Sequence, residues 1–244
     1  MARQRERFER IDVPQLSHTR TVVESCLVVV VFAAVVLPVS MVWNKADSYS
    51  TYNDSTLEDA VDEQETPAAV AGATKSADDF TTSLYLTTGE DGATLVDARI
   101  VALDDTTGKA TVAELPLDLS VTTEAGTLTL SALIAQSGGA ACVVPVSTAS
   151  GIAFDHVFVC QESFWSALTT YAESGADSAL TDMRKAATSD LSNRKVDDYY
   201  KELAASGIDA AIAAPAAYPI YAGDAGSTID AAQLNIALGL YVVA

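Results

Sequence analysis

The chain has 244 residues and carries 33 acidic against 14 basic side chains, a formal charge of −19. Binding to a phosphate backbone needs a basic face, so this balance argues against nucleic acid as a partner and against broad attachment to anionic lipid headgroups. It suits a well-solvated domain, or one that meets cations or neutral sugars.

In chain order, the first informative segment is Val22 to Trp43, a nearly unbroken apolar run. As a helix its residues span about 33 Å, enough for a hydrocarbon core with slight tilt. Arg3, Arg5, Arg7, Arg10 and Arg20 precede it, whereas Lys45 is followed by no basic residue until Lys75. The positive-inside rule therefore puts residues 1–21 in the cytoplasm as a short tail and everything beyond 43 outside. A cleaved secretory signal is the competing reading, but Ser40-Met41-Val42 makes a poor cleavage site, so an uncleaved anchor is expected. The implied location is the cell membrane, with one pass and the membrane itself as a partner. The portion after Trp43 carries a charge of roughly −20.

Residues 44–79 are rich in Asp, Glu, Ser, Thr and Ala and nearly free of large apolar groups. Such a stretch buries too little surface to offset its ordering entropy, which predicts an acidic flexible stalk, with part of 56–65 as a frayed helix. From Phe80 the texture changes. Strands are predicted at 80–86 and 95–103, a hairpin turn at Asp104 to Lys109, and a returning strand at 110–115. A short helix follows at 128–136, a strand at 152–160 and a helix at 164–174 closed by Gly175. Further helices are expected at 179–187 and 194–206, the latter ended by Gly207. The tail reads as a strand at 218–221 and a helix at 231–238. Residues 80–244 thus predict one mixed α/β domain with enough length for a packed core.

Cys142 and Cys160 lie in the exported portion, 18 positions apart. An oxidising compartment permits a disulfide between them; two buried thiols acting as small hydrophobes are the alternative. His156 is the only histidine beyond the apolar run, which excludes a paired-histidine zinc site. Asp155-His156 with Ser147 or Ser163 lacks the sharp nucleophile turn that a serine hydrolase needs.

The stretch LVDARIVALDDTTGKATVAELPLDLSV resembles the extracytoplasmic LytR–CpsA–Psr (LCP) family, with its Asp-headed strand, hairpin turn, second strand and Pro-Arg-Asp signature. Asp97 heads the strand here and Pro116-Leu117-Asp118 occupies the signature. SGGAACVVPVSTASGIAFDHVFVCQESFWSALTTY resembles the family's Gly-Gly helix, Gly-Ile turn, strand and following helix, and TSDLSNRKVDDYYKELAASGID its C-terminal helical part. The likeness runs over roughly 84–240. It implies a single-pass N-terminal transmembrane helix followed by one extracytoplasmic mixed α-β-α sandwich. It also implies polyprenyl-linked glycopolymer as a partner, transferred from a pyrophosphate carrier to the cell wall by arginines and a metal held by aspartates. Envelope proteins are the other partners it suggests.

Leu117 stands where the signature arginine should be and offers neither donors nor charge. The chain between Tyr171 and Ala179 is also too short for the family's Gly-Gly-Val segment and Arg-x-Arg pair. Three readings follow. The first is an LCP-like envelope protein that has lost catalysis and needs no cofactor. In the second, phosphotransfer survives with Mg²⁺ held by Asp97 and Asp91, beside Asp118, and with Arg99 or Arg184 replacing the lost clamp. The third is an acidic spacer or docking module for other envelope proteins. The bland alternative for the acids is solvated carboxylates at strand ends. A lipid tunnel, if present, is expected to be shortened and lined from Leu128, Leu130, Leu133, Val157, Val159, Phe164, Trp165 and Leu168. The resemblance makes 140–150 a helix, while Cys142-Val143-Val144-Pro145-Val146 favours a strand by local propensity. If the helix holds, Pro145 should mark a kink or a shortened first turn.

Overall fold

The computed structural model describes residues 53–67, 70 and 72–243. The expected tail at 1–21 and the expected span at 22–43 lie outside the described residues. No helix among those described is long and apolar enough to cross a membrane.

The elements run in order as α1 (Ser55–Asp62), β1 (Ala73–Lys75), β2 (Phe80–Thr88), β3 (Leu95–Asp104), β4 (Lys109–Glu114), β5 (Ser120–Thr123), β6 (Gly126–Thr129), α2 (Leu130–Ser137) and α3 (Ala140–Ser150). Then follow β7 (His156–Gln161), α4 (Ser163–Ser174), α5 (Asp177–Ala186), β8 (Ala187–Ser189), α6 (Asn193–Ala205), α7 (Ile208–Ala213), β9 (Ile220–Tyr221), β10 (Thr228–Ile229), α8 (Ala231–Ala237) and β11 (Tyr241–Val243). Five strands form the central sheet in the order β4-β3-β2-β7-β8. Only β2 and β7 are parallel in it; the other pairs are antiparallel.

The side-chain alternation of each strand splits the core in two. Leu84, Leu86, Ala98, Ile100 and Val157 face an aliphatic layer built from α1, α2, α3 and α8. Tyr85, Val101, Val112, Phe158 and Cys160 face an aromatic layer built from α4, α5, α6 and α7. Helices on both faces of one mixed sheet make the expected α-β-α sandwich. Residues 84–86 of β2, at its centre, are buried on both sides, which is why that strand reads apolar with little alternation.

The stalk expectation needs correction. Asp54 caps α1 by accepting from the Thr56 N–H at 2.9 Å, and Leu57 of that helix is only 1% exposed in the aliphatic core. Asn53 bridges Ser189 in parallel, and the Asp54 N–H donates to the Ser189 carbonyl at 2.9 Å, covering the outer edge of β8. The Gln64 side chain clasps Phe154, accepting from its N–H at 2.8 Å and donating to its carbonyl at 2.9 Å. Strand β1 pairs with β11. Described residues from 53 onward are therefore fastened to the domain, ahead of the boundary expected at 80. Composition averaged over 44–79 hides this, because one leucine and a few edge hydrogen bonds do the fastening.

Pro145 lies inside α3, whose first turn starts at Ala140 without shortening. The missing N–H costs one helical hydrogen bond, but Cys142, Val143 and Val146 are fully buried on one face of that helix. Tertiary burial overrides the local strand propensity.

Cys142 and Cys160 are both free and buried, so the disulfide alternative gives way to two thiols. Cys142 sits in the aliphatic layer and Cys160 in the aromatic one, with the sheet between them. Burial pushes each thiol up to about 12, which keeps both protonated and unreactive.

Candidate functional site

Asp97 and Arg99 alternate onto the same face of β3, the face that carries Trp165 at the start of α4. Arg99 Nε stands 2.8 Å from Asp97 Oδ2, and its Nη2 is 3.5 Å from Glu114 Oε1 on the neighbouring strand β4. Glu114 is there because the β3–β4 register sets it directly opposite Arg99. The guanidinium also lies over the Trp165 ring, with 4.9 Å from Cζ to the ring centroid. Trp165 is fixed in turn by its Nε1–H, which donates to Thr87 Oγ1 at 3.1 Å.

The Arg99 side chain retains 15% of its exposure and that of Asp97 24%. Asp97 Oδ2 and Arg99 Nε are both buried, so solvent screens the close pair little. Burial is the largest influence on the Asp97 carboxyl and raises it above the ordinary carboxylate value; Glu114 adds to the rise and Arg99 opposes it.

The other candidate acids are engaged locally. Asp91 caps its own turn: Oδ1 accepts from the N–H groups of Ala93 and Thr94, and Oδ2 from the Thr94 hydroxyl. These bonds, the Thr94 hydroxyl first, hold its carboxyl down to about 2. Asp118 accepts from the Ser227 hydroxyl at 2.9 Å, and its carbonyl accepts from the Ser227 N–H at 2.9 Å. Gly226 approaches so closely there that a Cβ would sit 2.3 Å from the Asp118 carbonyl oxygen. Among the described residues no group of three His, Cys, Asp or Glu could hold a metal ion.

Leu117, in the position of the signature arginine, is 36% exposed. Its carbonyl accepts from the Ser131 N–H and hydroxyl, which ties the loop to the start of α2. Arg184 pairs with Asp197 at 3.0 Å, joining α5 to α6, and takes no part in the Asp97 cluster. His156 pairs through Nδ1 with Asp190 at 3.0 Å, not with Asp155, whose carboxylate accepts from the Thr82 N–H and hydroxyl.

The eight residues expected to line one lipid tunnel fall on opposite faces of the sheet. Leu128, Leu130, Leu133, Val157 and Val159 belong to the aliphatic layer; Phe164, Trp165 and Leu168 belong to the aromatic one. A single tunnel cannot touch both sets. Two open cavities of about 390 and 380 Å³ do flank the aliphatic layer, sharing Thr66, Pro67, Gly151 and Asn235 in their walls.

In overall fold the chain is similar to several solved proteins. A structure of TagT bound to LI-WTA shares 10% identity over 72% of this chain and 98% of its own, with a TM-score of 0.48. Bacillus subtilis TagV shares 10% identity over 67% of this chain and 96% of its own, with a TM-score of 0.47. The LytR-CPS2A-psr family protein YwtF (TagT), with bound octaprenyl pyrophosphate lipid, shares 12% identity over 70% and 99%, with a TM-score of 0.43. No protein-family model and no curated protein matches the sequence.

The Glu114 and Trp165 partners of Arg99 were not foreseen from the sequence. Glu114 was visible in principle, since the 104–109 turn fixes the β3–β4 register. Trp165 was not, because its approach depends on how α4 crosses the sheet.

Proposed function

We propose that this protein is a membrane-anchored, extracytoplasmic, LCP-like envelope protein that works without catalysis, in assembly or maintenance of the cell wall or envelope. The observation that carries this reading is the engagement of Arg99. Its guanidinium is matched by Asp97, Glu114 and the Trp165 face, so it does not stand open to a phosphate. Leu117 supplies no second clamp, and Asp91 and Asp118 are committed to turns and loops. The membrane anchor rests on the apolar run at 22–43 and the arginines before it.

A second reading, a phosphotransferase moving glycopolymer from a polyprenyl-pyrophosphate carrier with Mg²⁺, draws on the same 2.8 Å contact, because that reading needs Arg99 within reach of Asp97. The two separate in one assay. The full-length chain in detergent is incubated with a polyprenyl diphosphate and Mg²⁺, and released phosphate is measured. The non-catalytic reading expects none above the protein-free rate; Mg²⁺-dependent release abolished by Arg99→Gln would establish the enzyme.

A further inference from the structure

The cluster around Arg99 has a property that goes beyond the absence of catalysis, though it rests on that reading. Nε and Nη2 form the side-on edge of a guanidinium, the edge that grips a tetrahedral oxyanion in two places. In this protein one carboxylate stands at each of those nitrogens, Asp97 at 2.8 Å and Glu114 at 3.5 Å. We propose that Arg99 is a caged oxyanion site, closed by Asp97 and Glu114 and opened when their charge is removed.

Two observations support the cage over an ordinary structural ion pair. The guanidinium is held by something other than the carboxylates, since it stacks over Trp165, which Thr87 anchors. Removing a carboxylate therefore leaves the arginine oriented. Lastly, the barrier to an anion is chiefly charge. Two carboxylates around one guanidinium give a net negative cluster, and the outer one, Glu114, keeps half of its side-chain exposure. An oxyanion approaching from that side meets Glu114 first. Removing a like charge at such a distance is worth roughly tenfold or more in anion affinity near a protein surface.

Sulfate is the suitable probe, because it carries the same double charge throughout the working pH range. Trp165 is the reporter, with Trp43, the other tryptophan of the chain, replaced by phenylalanine. The full-length chain in detergent is titrated with sulfate at neutral pH against chloride of equal ionic strength. The cage predicts no saturable fluorescence change for the unaltered cluster, a saturable change for Glu114→Gln, and binding about tenfold tighter again for Asp97→Asn with Glu114→Gln. Adding Arg99→Gln should abolish it. Half-exposed Glu114 makes its single substitution the one least able to disturb folding, and circular dichroism confirms that each variant is folded. A folded Glu114→Gln protein that shows no saturable response, or a response that survives loss of Arg99, overturns the proposal. No substrate is present to turn over, so phosphate release by the unaltered chain would defeat the proposed function without bearing on this result.

Discussion

The two faces of the central sheet are built in opposite ways. The aromatic face takes all its helices from one run of chain, 163–213, and packs Tyr85, Phe158, Phe164, Tyr199 and Tyr200 against one another. Tyr85 and Phe158 stack at 4.7 Å between ring centroids, and Tyr199 donates to the buried Ser83 hydroxyl at 2.8 Å. The aliphatic face is gathered from distant parts: α1 from the start of the domain, α2 and α3 from its middle, α8 from near its end. One face is closed by neighbouring helices, whereas the other is completed by segments far apart in the chain, 53–64 among them.

That difference is tested most strongly at Leu57. If 44–79 were a stalk, Leu57→Ala would leave stability unchanged. With the side chain buried in the aliphatic layer, the substitution should cost about 2–4 kcal/mol in chemical denaturation of the full chain. The same reasoning predicts that a chain begun at residue 80 exposes the β8 edge and the floor of the aliphatic layer.

A smaller effect comes from the Arg99 cluster at the margin of the aromatic face. The folded-state carboxyl of Asp97 is raised, so the folded protein binds its proton more tightly than the unfolded chain does. Stability from this group is therefore present below the ordinary carboxylate value and lost as pH rises through the raised one. Relative to Asp97→Asn, which does not titrate, the unaltered protein should lose stability as pH climbs through that window. Parallel urea denaturations across the acidic range check it; a stability difference, unaltered protein minus Asp97→Asn, that stays constant or rises with pH contradicts the sign.

Much of the sandwich was legible in the chain. The strands at 80–88, 95–104 and 109–114 and the helices at 163–174 and 193–205 announce themselves by alternation, a turn signal or a closing glycine. The parts left open or missed depend on partners far away in sequence. Residues 142–146 favour a strand by local propensity until Cys142, Val143 and Val146 find the aliphatic core, and the pair β5–β6 shows little apolar pattern because Val121 is its one fully buried residue. Ala187 reads as the end of a helix and Thr188-Ser189 as the link after it, yet residues 187–189 pair with β7 at the sheet edge. At the candidate site, the shared face of Asp97 and Arg99 follows from strand periodicity, but their mutual engagement does not. Asp91 and Asp118 show the same limit. An acid read as a possible metal ligand proved to be a turn cap in one case and a loop fastener in the other.

The central claim is that Arg99 serves the cluster that surrounds it, and its stability cost is the direct measure. Breaking one side of a half-buried ion pair leaves the other charge uncompensated, even where the intact pair adds little. A residue kept for catalysis tends instead to be neutral or costly to the fold. Equilibrium denaturation of the full chain at neutral pH should therefore find Arg99→Gln destabilised by about 1–3 kcal/mol, with the loss largely relieved when Asp97→Asn is added. An Arg99→Gln protein as stable as the unaltered chain, or more so, would contradict the account.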